Sequence, residues 1–216
     1  MHVWENAGPL VHARITLGDE PILWAGECPT LRFDMRGIDE YGKPKHSLLF
    51  RAAAAVVDAT SDVPDEHHSE RADVMVFGRN GKCAAMRHAR EIIAGDSSDW
   101  TVWALTPRRV HVVRRSSMTP EQKKMGLLRG LVSSFTDNGP KTVTVFPTTP
   151  LVDIPRADIV GFEIATRENE PCLRMRLADD SGFDLKFFRT GPGYDSEPDQ
   201  YRRLLALSMG RTDPWM

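Results

Sequence analysis

The chain has 216 residues, a formal net charge of −2 and a pI near 6.4. That length buries a sizeable core as one large domain or two small ones without disulfide or metal staples. The near-neutral charge argues against a general nucleic-acid binder, whose phosphate neutralisation demands a clear basic excess. No stretch approaches the ~18 apolar residues of a spanning helix, and Met1–Asn6 lacks the basic and apolar parts of a secretory leader. A cytoplasmic protein is the expectation. Cys28, Cys83 and Cys172 are odd in number, widely spaced and without a CxxC, which fits reduced thiols better than a disulfide framework or a zinc site.

Residues 1–13 show no firm period and read as a loosely held end on which Trp4 and Leu10 can dock. From Arg14 to Glu27, Ile15 and Leu17 followed by Pro21-Ile22-Leu23-Trp24-Ala25-Gly26 read as a strand entered through Gly18-Asp19-Glu20. A second strand is expected from Thr30 to Met35, before the turn Tyr41-Gly42-Lys43-Pro44. Ser47 to Ala59 carries Leu48, Leu49, Ala52, Ala55, Val56 and Ala59 at helical spacing. Asp58 to Asp73 is acidic and almost without apolar residues, so a loop is expected there. Val74–Phe77 reads as a short strand closed by Gly78-Arg79-Asn80-Gly81, and Lys82 to Ala94 as a helix stopped by Gly95.

Trp100–Leu105, a Thr106-Pro107-Arg108 turn and Val110–Val113 form a strand pair, the proline supplying a preset φ. Thr119-Pro120-Glu121 opens a helix with an apolar stripe of Met125, Leu128, Leu131, Val132 and Phe135. Lys141–Phe146 is expected as a strand that Pro147 and Pro150 break, and Ile159–Ile164 as another. Between Leu173 and Phe187 the alternation is unbroken around an Asp179-Asp180-Ser181-Gly182 turn. Leu173, Met175, Leu177, Phe183, Leu185 and Phe187 face a core, while Arg174, Arg176, Asp184 and Lys186 face water and pair across the ladder. Asp199–Met209 is a closing helix with Tyr201, Leu204, Leu205 and Ser208 on one face.

This order points to an α+β fold, an antiparallel barrel or sandwich with helices at one end. Glu20-Pro21-Ile22-Leu23-Trp24-Ala25-Gly26 resembles the opening strand of bacterial PH-like domains. Leu105-Thr106-Pro107-Arg108-Arg109-Val110 is similar to their strand-turn-strand signature, and Ile154-Pro155-Arg156-Ala157-Asp158-Ile159-Val160 to the strand that follows. The resemblance covers roughly half of the chain and rests on sheet packing rather than chemistry. It implies a bent, nearly closed antiparallel sheet plugged by a C-terminal helix, used for binding peptides, proteins or lipid headgroups and not usually for catalysis. Under it the chain is a single domain over 1–216, with a β-core at about 14–35 and 99–190, a helical insertion at about 45–95 and the closing helix at about 196–210.

Three clusters are candidate sites. Asp65-Glu66-His67-His68-Ser69-Glu70 holds metal-capable side chains, but no second ligand pair stands at recognisable spacing, so a solvated loop is expected and no metal. Gly78, Arg79, Gly81 and Lys82 lie between a strand and a helix, where backbone N–H groups and a helix N-terminus can hold phosphate. The Walker spacing fails there and Cys83 replaces its Ser or Thr, so Asn80-Gly81 reads more simply as a turn with positive φ. Arg108, Arg109, His111, Arg114, Arg115, Lys123, Lys124 and Arg129 form the one basic concentration, suited to an acidic peptide, an anionic headgroup or a membrane surface. Nucleophile elbows and HExxH are absent, and His88 and His111 read as structural. The leading expectation is a cofactor-free binding or scaffold module engaging a protein, peptide or anionic headgroup, with self-association as an outlet. The alternative is a nucleotide- or phosphate-binding enzyme using Gly78–Lys82.

Overall fold

The structure, a computed structural model, describes residues 8–45, 72–94, 100–116, 146–187 and 198–211. The expected helices at Ser47–Ala59 and Thr119–Phe135 and the His67-His68 loop lie outside the described residues, as does the strand expected at Lys141–Phe146 apart from Phe146 itself.

The chain is α+β. Its elements are α1 (Pro9–Leu17), β1 (Trp24–Cys28), β2 (Leu31–Met35), β3 (Val74–Gly78), α2 (Ala84–Ile93), β4 (Trp100–Leu105), β5 (Arg109–Arg115), β6 (Thr148–Pro155), β7 (Ile159–Arg167), β8 (Glu170–Leu177), β9 (Gly182–Leu185) and α3 (Pro198–Ser208). Strands β1-β4-β5-β6 form one antiparallel sheet, and β2-β3-β9-β8-β7 a second, in which only β2 and β3 run parallel. The chain passes between the sheets three times, once through α2 from β3 to β4 and twice at corners. One is Pro29-Thr30, between β1 and β2, and the other is the helical turn Arg156–Asp158, between β6 and β7. The two sheets are separate ladders rather than a closed barrel.

The corner at Thr30 is clasped by Asp73. The Thr30 hydroxyl and N–H both donate to Asp73 Oδ2, at 2.6 and 3.1 Å, and the Asp73 N–H returns a bond to Thr30 Oγ1 at 3.0 Å. This fixes β3 in register beside β2. Val74–Gly78, expected inside a helical insertion, therefore stands in the interior of the five-stranded sheet, with β2 on one side and β9 on the other.

Between the inner faces lie Trp103 and Leu105 from β4, Ile154 from β6, Val74 and Val76 from β3, Leu173, Met175 and Leu177 from β8, and Phe183 and Leu185 from β9. The Trp103 and Phe183 rings, 5.2 Å between centroids, join one sheet to the other. Helix α2 adds Ala85, Met86, Ala89 and Ile92, and α3 adds Tyr201 with Leu204, Leu205 and Leu207 partly buried. A smaller cluster, Ala13, Leu17, Val102, Ala104 and Val113, lies on the opposite face of the four-stranded sheet beneath α1.

Three expectations are corrected. Ile15 and Leu17 belong to a helix, begun by Pro9 at its first turn and stopped at Gly18 (φ 58°), rather than to a strand. The strand proper starts at Trp24. Pro150 does not break the chain but lies within β6, which is a sheet edge where a missing N–H is tolerated, opposite a register shift between Val112 and Val113. Asp184 and Lys186 are not in water; they are 4% and 8% exposed, because β9 is an interior strand whose neighbours carry long side chains. Asp184 takes two bonds from Arg174 (2.6 and 2.8 Å), whose guanidinium lies over the Phe77 ring. Lys186 meets Glu170 at 3.3 Å and Glu168 at 3.7 Å, not an arginine.

Candidate functional site

Strand β5 carries four of the five described residues of the basic concentration, Arg109, His111, Arg114 and Arg115, and its alternation divides them. Arg109, His111 and Arg115 share the face of the sheet that α1 covers, as the register Ala104↔His111 and Val102↔Val113 requires, whereas Arg114 points the other way and reaches the Ile92 carbonyl at 3.4 Å. Arg108 is exposed on the turn before β5. Lys123, Lys124 and Arg129 lie outside the described residues.

The residues on the covered face are engaged within the fold. The Arg109 guanidinium spans two carboxylates, donating to Glu20 at 2.7 Å and to Asp153 at 2.7 Å. His111 Nδ1 lies 2.6 Å from the other Asp153 oxygen, and its Nε2 lies 2.9 Å from Thr16 Oγ1 on α1. Arg115 sits 3.4 Å from Glu27 of β1 and stacks on Trp100 and Phe146, with its guanidinium 4.8 and 5.0 Å from their ring centroids. Burial pushes the Glu27 carboxyl above its ordinary range, and Arg115 opposes that push. Together Arg109, His111 and Arg115 and their partners make a polar seam on the face of the sheet that α1 covers.

Hydroxyl, imidazole and carboxylate at Thr16, His111 and Asp153 have the connectivity of a nucleophile relay. Their surroundings argue for a structural role. Thr16 Oγ1 also donates to Ala13 O of its own helix at 3.1 Å, His111 is buried under α1, and the second oxygen of Asp153 is held by Arg109. The seam pins a helix to the sheet.

At the other candidate, the Asn80 side chain accepts the Lys82 N–H at 2.9 Å and the Asn80 carbonyl accepts the Cys83 N–H at 3.3 Å, so the loop is a turn. Neither Asn80 nor Gly81 has a positive φ, contrary to expectation; the end of the Ile38 side chain, Cδ1, packs 2.9 Å from where a Cβ on Gly81 would stand. The N-terminus of α2 is already occupied. Asp179 Oδ2 accepts the Ala84 N–H at 2.7 Å and Ser181 Oγ accepts the Ala85 N–H at 3.0 Å, both from the β8–β9 turn. A phosphate at Gly78, Arg79, Gly81 and Lys82 would compete with that carboxylate for the same N–H groups.

The basic run does not disclose Thr16, Glu20, Glu27 and Asp153, the partners that make β5 part of a seam. Asp153 alone had a local signal, since it alternates with Val152 and Ile154 as a strand residue does. Among the described residues no group of His, Cys, Asp and Glu could hold a metal ion, and no helix is long and apolar enough to cross a membrane. No protein-family model, curated protein or solved structure matches the chain.

Proposed function

We propose that the chain is a non-catalytic binding module with a PH-like core, engaging a protein or peptide through the outward side of α1. The contrast between the two sides of that helix carries the reading. Leu10, Val11 and Ile15 are 53%, 45% and 54% exposed, while His12, Thr16 and the residues beneath them are engaged with the sheet. Neighbouring large apolar side chains left outside a fold mark a protein contact. The PH-like part is supported by the positions of the motifs: Leu105–Val110 spans the β4–β5 turn, Ile154–Val160 spans the corner into β7, and α3 contributes Tyr201 to the space between the sheets. An anionic headgroup is the weaker ligand, because Arg109 and Arg115 already face carboxylates.

The test immobilises the chain and its Leu10→Glu/Ile15→Glu variant side by side over host lysate, then titrates any recovered polypeptide as a purified protein. The reading expects affinity to fall at least about tenfold in a variant whose Tm is unchanged, a loss worth about 1.4 kcal/mol. Binding indifferent to the variant overturns the α1 surface. A nucleotide- or inositol-phosphate-dependent rise in Tm that Lys82→Ala abolishes overturns the whole reading in favour of a phosphate site.

A further inference from the structure

His12 lies at the N-terminal end of the α1 seam, buried, with its ring stacked on Phe146. Its two nitrogens meet partners of fixed character. Nδ1 is 3.1 Å from the Gly8 carbonyl, which can only accept, and Nε2 receives the Phe146 N–H at 3.3 Å, which can only donate. The docked ring is therefore neutral, with its proton on Nδ1. A second proton would set Nε2–H against the Phe146 N–H and take away that acceptor.

The charges around the ring make no home for a cation. From β5, the Arg115 guanidinium stacks on the same Phe146 ring. From β1, Glu27 is committed to Arg115. Farther along the helix, His111 of β5 is held between Asp153 of β6 and Thr16, while Arg14, on α1 itself, turns outward to the Gly18 and Glu20 carbonyls. His111 differs from His12 in kind, since both its neighbours, a carboxylate and a hydroxyl oxygen, can accept N–H donors.

We propose that His12 makes α1 an acid-released latch: protonation at Nε2 lifts Gly8–Leu17 from the four-stranded sheet and uncovers Val102, Ala104 and Val113. Burial, with Arg115 adding to it, holds the His12 imidazole below its ordinary range. The undocked helix therefore binds the proton more readily. Docking is fully stable at neutral pH and weakens as pH falls below the ordinary imidazole value towards the depressed one. This concerns the docking of α1 and holds whatever partner the helix meets.

Hydrogen exchange read by mass spectrometry at about pH 7.5 and about pH 5, corrected for intrinsic exchange rates, tests it. The latch expects protection over residues 8–17 to fall roughly tenfold in acid while residues 173–185 keep theirs. His12→Gln, whose amide can accept from Phe146 and donate to Gly8, should remove the difference, and His111→Gln should leave it. Equal protection of α1 at both pH values overturns the proposal, as does loss of protection across both regions together or a pH effect that survives His12→Gln. Should His12→Gln not fold, the His12 ring titration followed by NMR must share its midpoint with α1 exchange, and separate midpoints overturn the latch.

Discussion

The Trp24 indole N–H donates to Ser208 Oγ across 2.8 Å, joining the first strand to the last helix in the interior. Ser208 Oγ in turn donates to Leu204 O at 2.8 Å, and its backbone carbonyl accepts from Arg156, so one serine gathers β1, α3 and the β6–β7 corner. Trp24→Phe keeps the ring contacts with Phe162 and Phe187 but loses the buried bond. The expected cost is about 1–2 kcal/mol in urea unfolding. Ser208→Ala should cost a similar amount, and the double variant distinctly less than the sum, which a double-mutant cycle reads directly.

Asp179 caps α2 from a hairpin tip remote in sequence. Partial burial disfavours its charge, but the bonds from Ser181 and from the Ala84 N–H outweigh burial and hold the carboxyl below its ordinary range. Asp179→Ala should destabilise the chain by about 1 kcal/mol at neutral pH. The advantage of the native residue is present above the ordinary carboxylate value and is lost as pH falls through the lowered one. Unfolding curves of the two chains should converge in acid, and a gap that persists there would show that the carboxylate charge is not what caps the helix.

Two glycines of the five-stranded sheet should behave oppositely. A Cβ on Gly182 would run into the Met175 carbonyl oxygen and stand 2.7 Å from Phe77 Cζ, whereas a Cβ on Gly161 meets nothing within 4 Å. Gly182→Ala is expected to cost about 3 kcal/mol or more, because backbone must move. Gly161→Ala should stay within about 0.5 kcal/mol. Thermal melts of both variants decide the point.

The three thiols should separate by reactivity. Burial, and then the nearby Asp184, push Cys172 up to about 11, and burial pushes Cys28 well above the ordinary thiol value. Cys83 is half-buried at the start of α2. Alkylation of the native protein at mildly basic pH should label Cys83 and spare the other two until denaturant is added. Fast labelling of Cys172 would contradict its place in the sheet interior.

Elements whose pattern is local were legible. The Leu173–Phe187 alternation became β8 and β9, Val74–Phe77 became β3, and of Ala85, Met86, Ala89, Ile92 and Ile93, expected on one face of α2, all but the exposed Ile93 face the core. Helix α1 was missed because Leu10, Val11, Ala13, Ile15 and Leu17 are spread around its axis, leaving Ile15 and Leu17 to imitate a strand. Alternation also says nothing about what lies beside a strand. Asp184 and Lys186 look like water-facing residues until β3 and β8 flank them.

The candidate site was legible only by half. Arg109, His111 and Arg115 are close in sequence and were seen together, but Thr16, Glu20, Glu27 and Asp153 reach them only through the fold. A run of cations does not disclose its counter-charges when those arrive from three other segments. Reading the run as one basic surface follows from that.

The place of β3 bears on how the protein is made. One of its ladders is supplied by β2, already synthesised, and the other by Gly182–Leu185, near the end of the chain. Throughout translation of everything between, Val74-Met75-Val76-Phe77 presents an apolar edge with open hydrogen-bonding groups. A nascent chain stalled or cut short before residue 182 would carry that sticky edge into the cell, so a holding chaperone has most to offer this protein in the interval before the β8–β9 hairpin emerges.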